Sequence, residues 1–81
     1  VGIMIGQAIN KIAEEKSMTK YRIAKNGQIA QTTLGDVVHG RNTNPTFETM
    51  TKIAKGLGMH LWELIKIAED LEESEVENNE I

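Results

Sequence analysis

Apolar residues recur at helical intervals along almost the whole chain, in five short runs separated by residues that stop helices. Ile5, Ala8, Ile9, Ile12 and Ala13 fall on one stripe, which predicts a first helix running to about Lys16. Ser17-Met18-Thr19 interrupts it, and Thr19 is placed to N-cap a second helix. On that helix Ile23, Ala24 and Gly27 share a face, with Gly27 near its end. Ile29-Ala30 leads into a third helix, Gln31 to His39, stopped by Gly40 just past its C-terminus. Arg41-Asn42-Thr43-Asn44-Pro45 is a polar connection with turn chemistry at Asn and Pro. A fourth helix is expected from about Thr46, with Phe47, Met50, Ile53, Ala54 and Leu57 as its stripe and Gly58 as its stop. Leu61, Leu64, Ile65, Ala68 and Leu71 mark a fifth. No strand-like alternation and no repeat competes with this pattern. The expected fold is all-α, five short helices around one core.

Size narrows the function. A chain of 81 residues makes one small domain. Such a domain hides only ~60% of the surface its unfolded form exposes, which argues against a roomy enzyme cleft. There is no cysteine, so disulfide scaffolds and thiolate-held zinc or iron–sulfur sites are excluded. No apolar run approaches the ~20 residues that a membrane span needs, and Val1-Gly2-Ile3-Met4-Ile5 is too short for a signal-peptide core.

The net charge of −3 argues, at face value, against a nucleic-acid partner. Its distribution does not. Through residue 60 the chain carries eight basic residues against four acidic ones, a balance of +4. From residue 61 onward Lys66 stands against eight acids, a balance of −7. The body is basic. The acid is gathered in a terminal segment, expected as a helix extension or a disordered tail over residues 69–81, behind a domain of residues 1–68.

On the third helix, Leu34, Val37 and Val38 share one side, and Gln31, Thr32, Gly35, Asp36 and His39 the other. The first side must face the core. A merely solvated second side would more often be filled with Glu and Lys, which also favour helix. Gln, Thr, Gly and Asp suit close approach and hydrogen bonding instead.

The runs 19–25 and 29–40, followed by Asn44-Pro45-Thr46-Phe47-Glu48-Thr49 and Ile53-Ala54-Lys55-Gly56-Leu57-Gly58, resemble the Cro/C1-type (XRE) helix-turn-helix family. These are the DNA-binding domains of phage repressors and small bacterial regulators. The likeness covers about residues 4–67 and is anchored by Ala24, Ile29, Gly40, Pro45 and the Ile-Ala-x-x-Leu-Gly ending. It implies a lambda-repressor-like domain whose second and third helices form the helix-turn-helix. There are departures. The glycine that the family often has at Gln28 comes one residue earlier, so the second helix either ends early or turns differently. Ala30 stands where many members carry a Ser or Thr cap, and the Glu often found at Val38 is absent.

The resemblance places Gln31, Thr32 and Asp36 at base-reading positions, with Thr33 flanking. A Gln pairs bidentately with adenine N6 and N7, a Thr methyl packs on a thymine methyl, and an Asp accepts from cytosine N4. It assigns phosphate contacts to Lys20, with Tyr21 and Arg22, on one side and to Arg41, Asn42, Thr43 and Asn44 on the other. His39 is a further phosphate candidate. Lys11, Lys16, Lys52 and Lys55 are expected to be solvated. His60, three residues before Glu63, suits a helix cap, and two isolated histidines make no metal site. Met18, Met50 and Met59 are expected to fill the core. No cofactor is implied and no catalytic constellation suggests an enzyme.

The implied partner is a palindromic double-stranded DNA operator, bound by a homodimer in a bacterial or phage-infected cytoplasm. Leu61, Trp62 and Ile65, with the Leu71/Val76 stretch, are the dimer candidates; Trp62 falls off the fifth stripe. The implied role is a transcriptional regulator, in particular a repressor. Alternatives are an antitoxin or restriction–modification controller on the same fold, or a protein-interaction module that has lost DNA binding.

Overall fold

The computed structural model describes the backbone of residues 4–79 and the side chains of residues 4–74. Five helices follow one another: α1 (Ile5–Lys16), α2 (Lys20–Gly27), α3 (Gln31–Val38), α4 (Phe47–Gly56) and α5 (Leu61–Asn79). No strand occurs among the described residues. α2 packs chiefly on α4, and α1 on α5 and α3. The core they enclose is wholly aliphatic, built on Ile9, Ile12, Ile23, Leu34, Ile53, Leu57 and Leu64, and contains no polar side chain among the described residues. Among the described residues no helix is long and apolar enough to cross a membrane. Val1, Gly2, Ile3, Glu80 and Ile81, and the side chains of Glu75, Val76, Glu77, Asn78 and Asn79, lie outside the described residues.

Local chemistry sets the helix ends. The Thr19 hydroxyl accepts from the Arg22 amide at 3.1 Å, and Thr46 accepts from the Thr49 amide at 3.1 Å, so both helices start on a side-chain cap. At α5 the cap runs the other way: the His60 amide donates to Glu63 Oε1 at 2.9 Å, one half of a capping box. Three C-termini share one pattern. The amides of Met18, Ile29 and Met59 reach back to the carbonyls of Ala13, Ala24 and Ala54, while Ser17, Gln28 and Gly58 turn left-handed. Met18, Ile29 and Met59 then fold back, half-buried, onto the core.

Gln28 therefore takes the left-handed conformation itself, at φ 56°, and α2 ends as expected without a glycine there. Gly27 does something else. A Cβ at Gly27 would collide with the Lys52 carbonyl, and one at Gly56 with the Ile23 carbonyl. The two glycines let the backbones of α2 and α4 touch.

Two expectations are corrected. Phe47 is not part of the α4 stripe but is 72% exposed. It is the first residue of its helix, and side chains lean toward the helix N-terminus, so its ring projects past the end of the packed surface. Lys16 is not simply solvated: its Nζ donates to the Leu57 carbonyl at 2.7 Å and satisfies the C-terminal end of α4. Lys11 and Lys52 are solvated but pair along their own helices with Glu15 and Glu48.

Candidate nucleic-acid interface

Burial fixes which side of α3 faces outward. Leu34 and Val37 are each 1% exposed and Val38 is 8% exposed. Burying a side chain of this kind stabilises the fold by roughly 1.5–3 kcal/mol, so α3 has no freedom to roll about its axis. Gln31, Thr32 and His39 are left exposed, and Thr33, Gly35 and Asp36 half-buried. Thr33 sits between core and surface. The side chain of Ala30 makes no cap, so the first amides of α3 are not satisfied by a side chain at that position.

Gly35 presents a contrast with Gly27. A Cβ there would lie 3.7 Å from Arg41 Nη2 and 4.0 Å from His39 Cδ2, which is ordinary contact. Nothing in the fold forbids a side chain at this position. The glycine leaves a shallow place in the outward face of α3.

Beyond α3, Gly40 turns the chain at φ 80°, and the Asn42 amide returns to the Asp36 carbonyl at 2.9 Å. The loop thus folds back along the helix. Arg41 Nε donates to Asp36 Oδ1 at 2.8 Å. The expected base-reading carboxylate and the expected phosphate-binding arginine hold each other. Sequence spacing concealed this pair, because residues five apart are not neighbours on a helix; the Gly40 turn makes them so. Farther along, Asn42 Oδ1 accepts from the Asn44 amide at 3.0 Å, which leaves the side-chain Nδ2 of Asn42 for an outside acceptor. Thr43 and Asn44 are exposed beside it.

α2 supplies the positive charge. Lys20, Arg22 and Lys25 are exposed and make no side-chain hydrogen bond or ion pair with any described residue. Tyr21, 57% exposed, stands between Lys20 and Arg22. Lys25 was not singled out from sequence. The available signal is that Asp36 is the only acid between Lys16 and Phe47, so α2 carries three cations and no acid of its own to pair them. His39 is exposed at the far end of α3. Among the described residues no group of three His, Asp or Glu side chains is gathered to hold a metal ion.

Away from this face, Trp62 is 65% exposed, and Leu61 and Ile65 beside it on α5 are half-buried against the core. α5 itself continues past residue 68 without a break.

A family model for the Cro/C1-type HTH DNA-binding domain matches residues 8–70. No curated protein matches the sequence. Among solved structures, the N-terminal DNA binding domain of SinR from Bacillus subtilis is similar at 26% identity, over 75% of this chain and 88% of that one, with a TM-score of 0.68. The wild-type restriction-modification controller protein C.Esp1396I is similar at 22% identity, over 83% of this chain and 85% of that one, with a TM-score of 0.73. The controller protein C.AhdI from Aeromonas hydrophila is similar at 21% identity, over 76% and 92% of the two chains, with a TM-score of 0.68. The likeness to both controllers is one of fold.

Proposed function

Because the chain belongs to the Cro/C1-type helix-turn-helix family of DNA-binding domains, we propose that it is a transcriptional regulator, a repressor, that binds double-stranded DNA by sequence. The observation that carries this reading is that α2, with its unpaired cations, packs on α3, whose outward face is short and polar. α3 enters the major groove, where Gln31 and Thr32 reach base edges and Thr33 flanks them. Lys20, Tyr21 and Arg22, with Lys25, hold the phosphates on one side, and Asn42, Thr43 and Asn44 hold those on the other. Asp36 and Arg41 enter the face as a pair. Residues 1–68 make up the working domain, and the acidic residues 69–81 lie outside it. The setting is the cytoplasm of a bacterium or of a phage-infected cell.

Two copies on a palindrome, with half-sites about 34 Å apart, account for the exposed apolar surface of α5. Trp62 is its centre, with Leu61 and Ile65 at its edge.

Selection of bound sites from random duplex, followed by titration across about 50–200 mM salt, tests this reading. The expected site is palindromic and takes two copies, and its affinity falls by orders of magnitude over that range. Gln31→Ala relaxes the preference at one base pair by about 1–3 kcal/mol. Lys20→Ala weakens all sequences alike and lowers the salt slope by about 1. Trp62→Glu leaves half-site binding intact and abolishes cooperation between half-sites. A protein that selects no sequence, or is indifferent to both Gln31→Ala and Lys20→Ala, is not this regulator.

A further inference from the structure

We propose that Arg41 reads a guanine in the major groove and that Asp36 is its positioning residue, in place of one phosphate contact and one cytosine contact made separately. The inference rests on the DNA-binding reading above and adds a base and a mechanism to it.

The geometry of the pair carries the argument. Asp36 Oδ1 accepts a hydrogen bond from Nε at 2.8 Å, and no described residue accepts a hydrogen bond from either terminal nitrogen of Arg41. A guanidinium held at Nε still presents its two terminal nitrogens as a planar fork, and guanine presents O6 and N7 as two acceptors at matching spacing. Where the fork lies matters equally. Its Nη2 is beside Gly35, within 3.7 Å of where a Cβ would stand, so it rests over the outward face of α3. Nor is the contact a chance meeting of two long side chains. The backbone of the same residue, Asp36, accepts from the Asn42 amide and fixes the loop that carries Arg41.

Charge points the same way. Asp36 is the only acid between Lys16 and Phe47, on a face that must meet phosphates. A bare carboxylate there repels DNA; one neutralised by Arg41 does not, and it spends its charge on holding an otherwise flexible side chain in reading position.

Site selection with Arg41→Ala, Arg41→Lys, Asp36→Ala and Gln31→Ala, beside the wild type, decides it, with thermal unfolding to verify that each of these surface variants is folded. The wild type is expected to select a guanine in each half-site. Arg41→Ala loses that preference. Arg41→Lys loses it too but keeps the salt dependence of the wild type, since a point charge replaces a fork. Asp36→Ala is the telling variant: total affinity is kept or raised, because a negative charge is gone, while discrimination for guanine falls at least about fivefold. Arg41→Ala that weakens every sequence equally, with base preferences intact, makes Arg41 a phosphate clamp and overturns the proposal. So does an Asp36→Ala variant that loses a cytosine preference which Arg41→Ala retains. If those results come with a Gln31→Ala variant that still shifts its own base, this inference fails and the DNA-reading function stands. If the wild type selects no sequence at all, both fail.

Discussion

α2 and α3 are each eight residues long, and each holds one glycine that does not turn the chain; those two glycines answer to different neighbours. Gly27 is buried, and any side chain on it would enter the backbone of α4. Gly35 is half-buried with room around it, and the nearest atoms belong to movable side chains. A glycine inside a helix costs roughly 0.5–1 kcal/mol against alanine. At Gly27 the contact with α4 repays that cost within the protein. At Gly35 nothing in the fold repays it. Where packing does not demand a destabilising residue, the DNA-binding reading places the demand in what the surface meets. That is how the outward face of α3 differs from the rest of the molecule.

The largest effect is expected from Gly27→Ala. The new methyl meets a carbonyl oxygen of the α4 backbone, so relief requires the helices to separate and not merely a rotamer to change. Overpacking of this kind costs about 1–3 kcal/mol, read as a lower midpoint in urea. Gly56→Ala, at the same contact, costs a similar amount, and the double variant costs less than the sum because the helices separate once. An unchanged midpoint for Gly27→Ala would remove the contrast with Gly35.

This contrast also marks what could be read from the sequence. The five helices and their inward stripes were legible because they rest on local spacing: Ile23, Ala24 and Gly27 share a buried face as expected. The outward face of α3 was legible for the same reason, since burying Leu34, Val37 and Val38 leaves only one way to turn the helix. What was hidden depends on a neighbour distant in sequence or on a turn. Gly27 ends α2 as its spacing predicts, but its close approach to Gly56 is invisible in the sequence because that partner lies on another helix. The spacing places Phe47 in a stripe because periodicity carries no information about where a helix runs off the packed surface. The bond from Lys16 to the Leu57 carbonyl and the Asp36–Arg41 pair both required the fold to bring them together.

Gln28→Gly is the next smaller effect, and it separates two uses of glycine that stand side by side. Gln28 holds the left-handed turn at φ 56°, a conformation that costs a residue with a side chain roughly 1–2 kcal/mol. Glycine there removes the strain but adds freedom to the unfolded chain, for a net gain of about 1 kcal/mol. The swap Gly27→Ala with Gln28→Gly is the sharper form. If Gly27 served the turn, moving the glycine by one residue would restore stability. The expected swap remains less stable than wild type in urea, because the collision with α4 is untouched.

Gly35→Ala is expected to have the smallest effect on stability and the opposite sign to Gly27→Ala. Alanine suits a helix better, and its methyl meets only the edges of Arg41 and His39 at ordinary distances, so the midpoint rises by about 0.5 kcal/mol. On the DNA-binding reading, the same methyl fills the shallow place on the outward face of α3 and holds the groove floor away from it. Affinity for the selected site therefore falls while the fold gains. That opposition is the point: a variant that stabilises the protein and weakens its binding locates the demand for glycine outside the chain. Were affinity to rise with stability, Gly35 would be merely tolerated, and the difference between the two helices would reduce to packing alone.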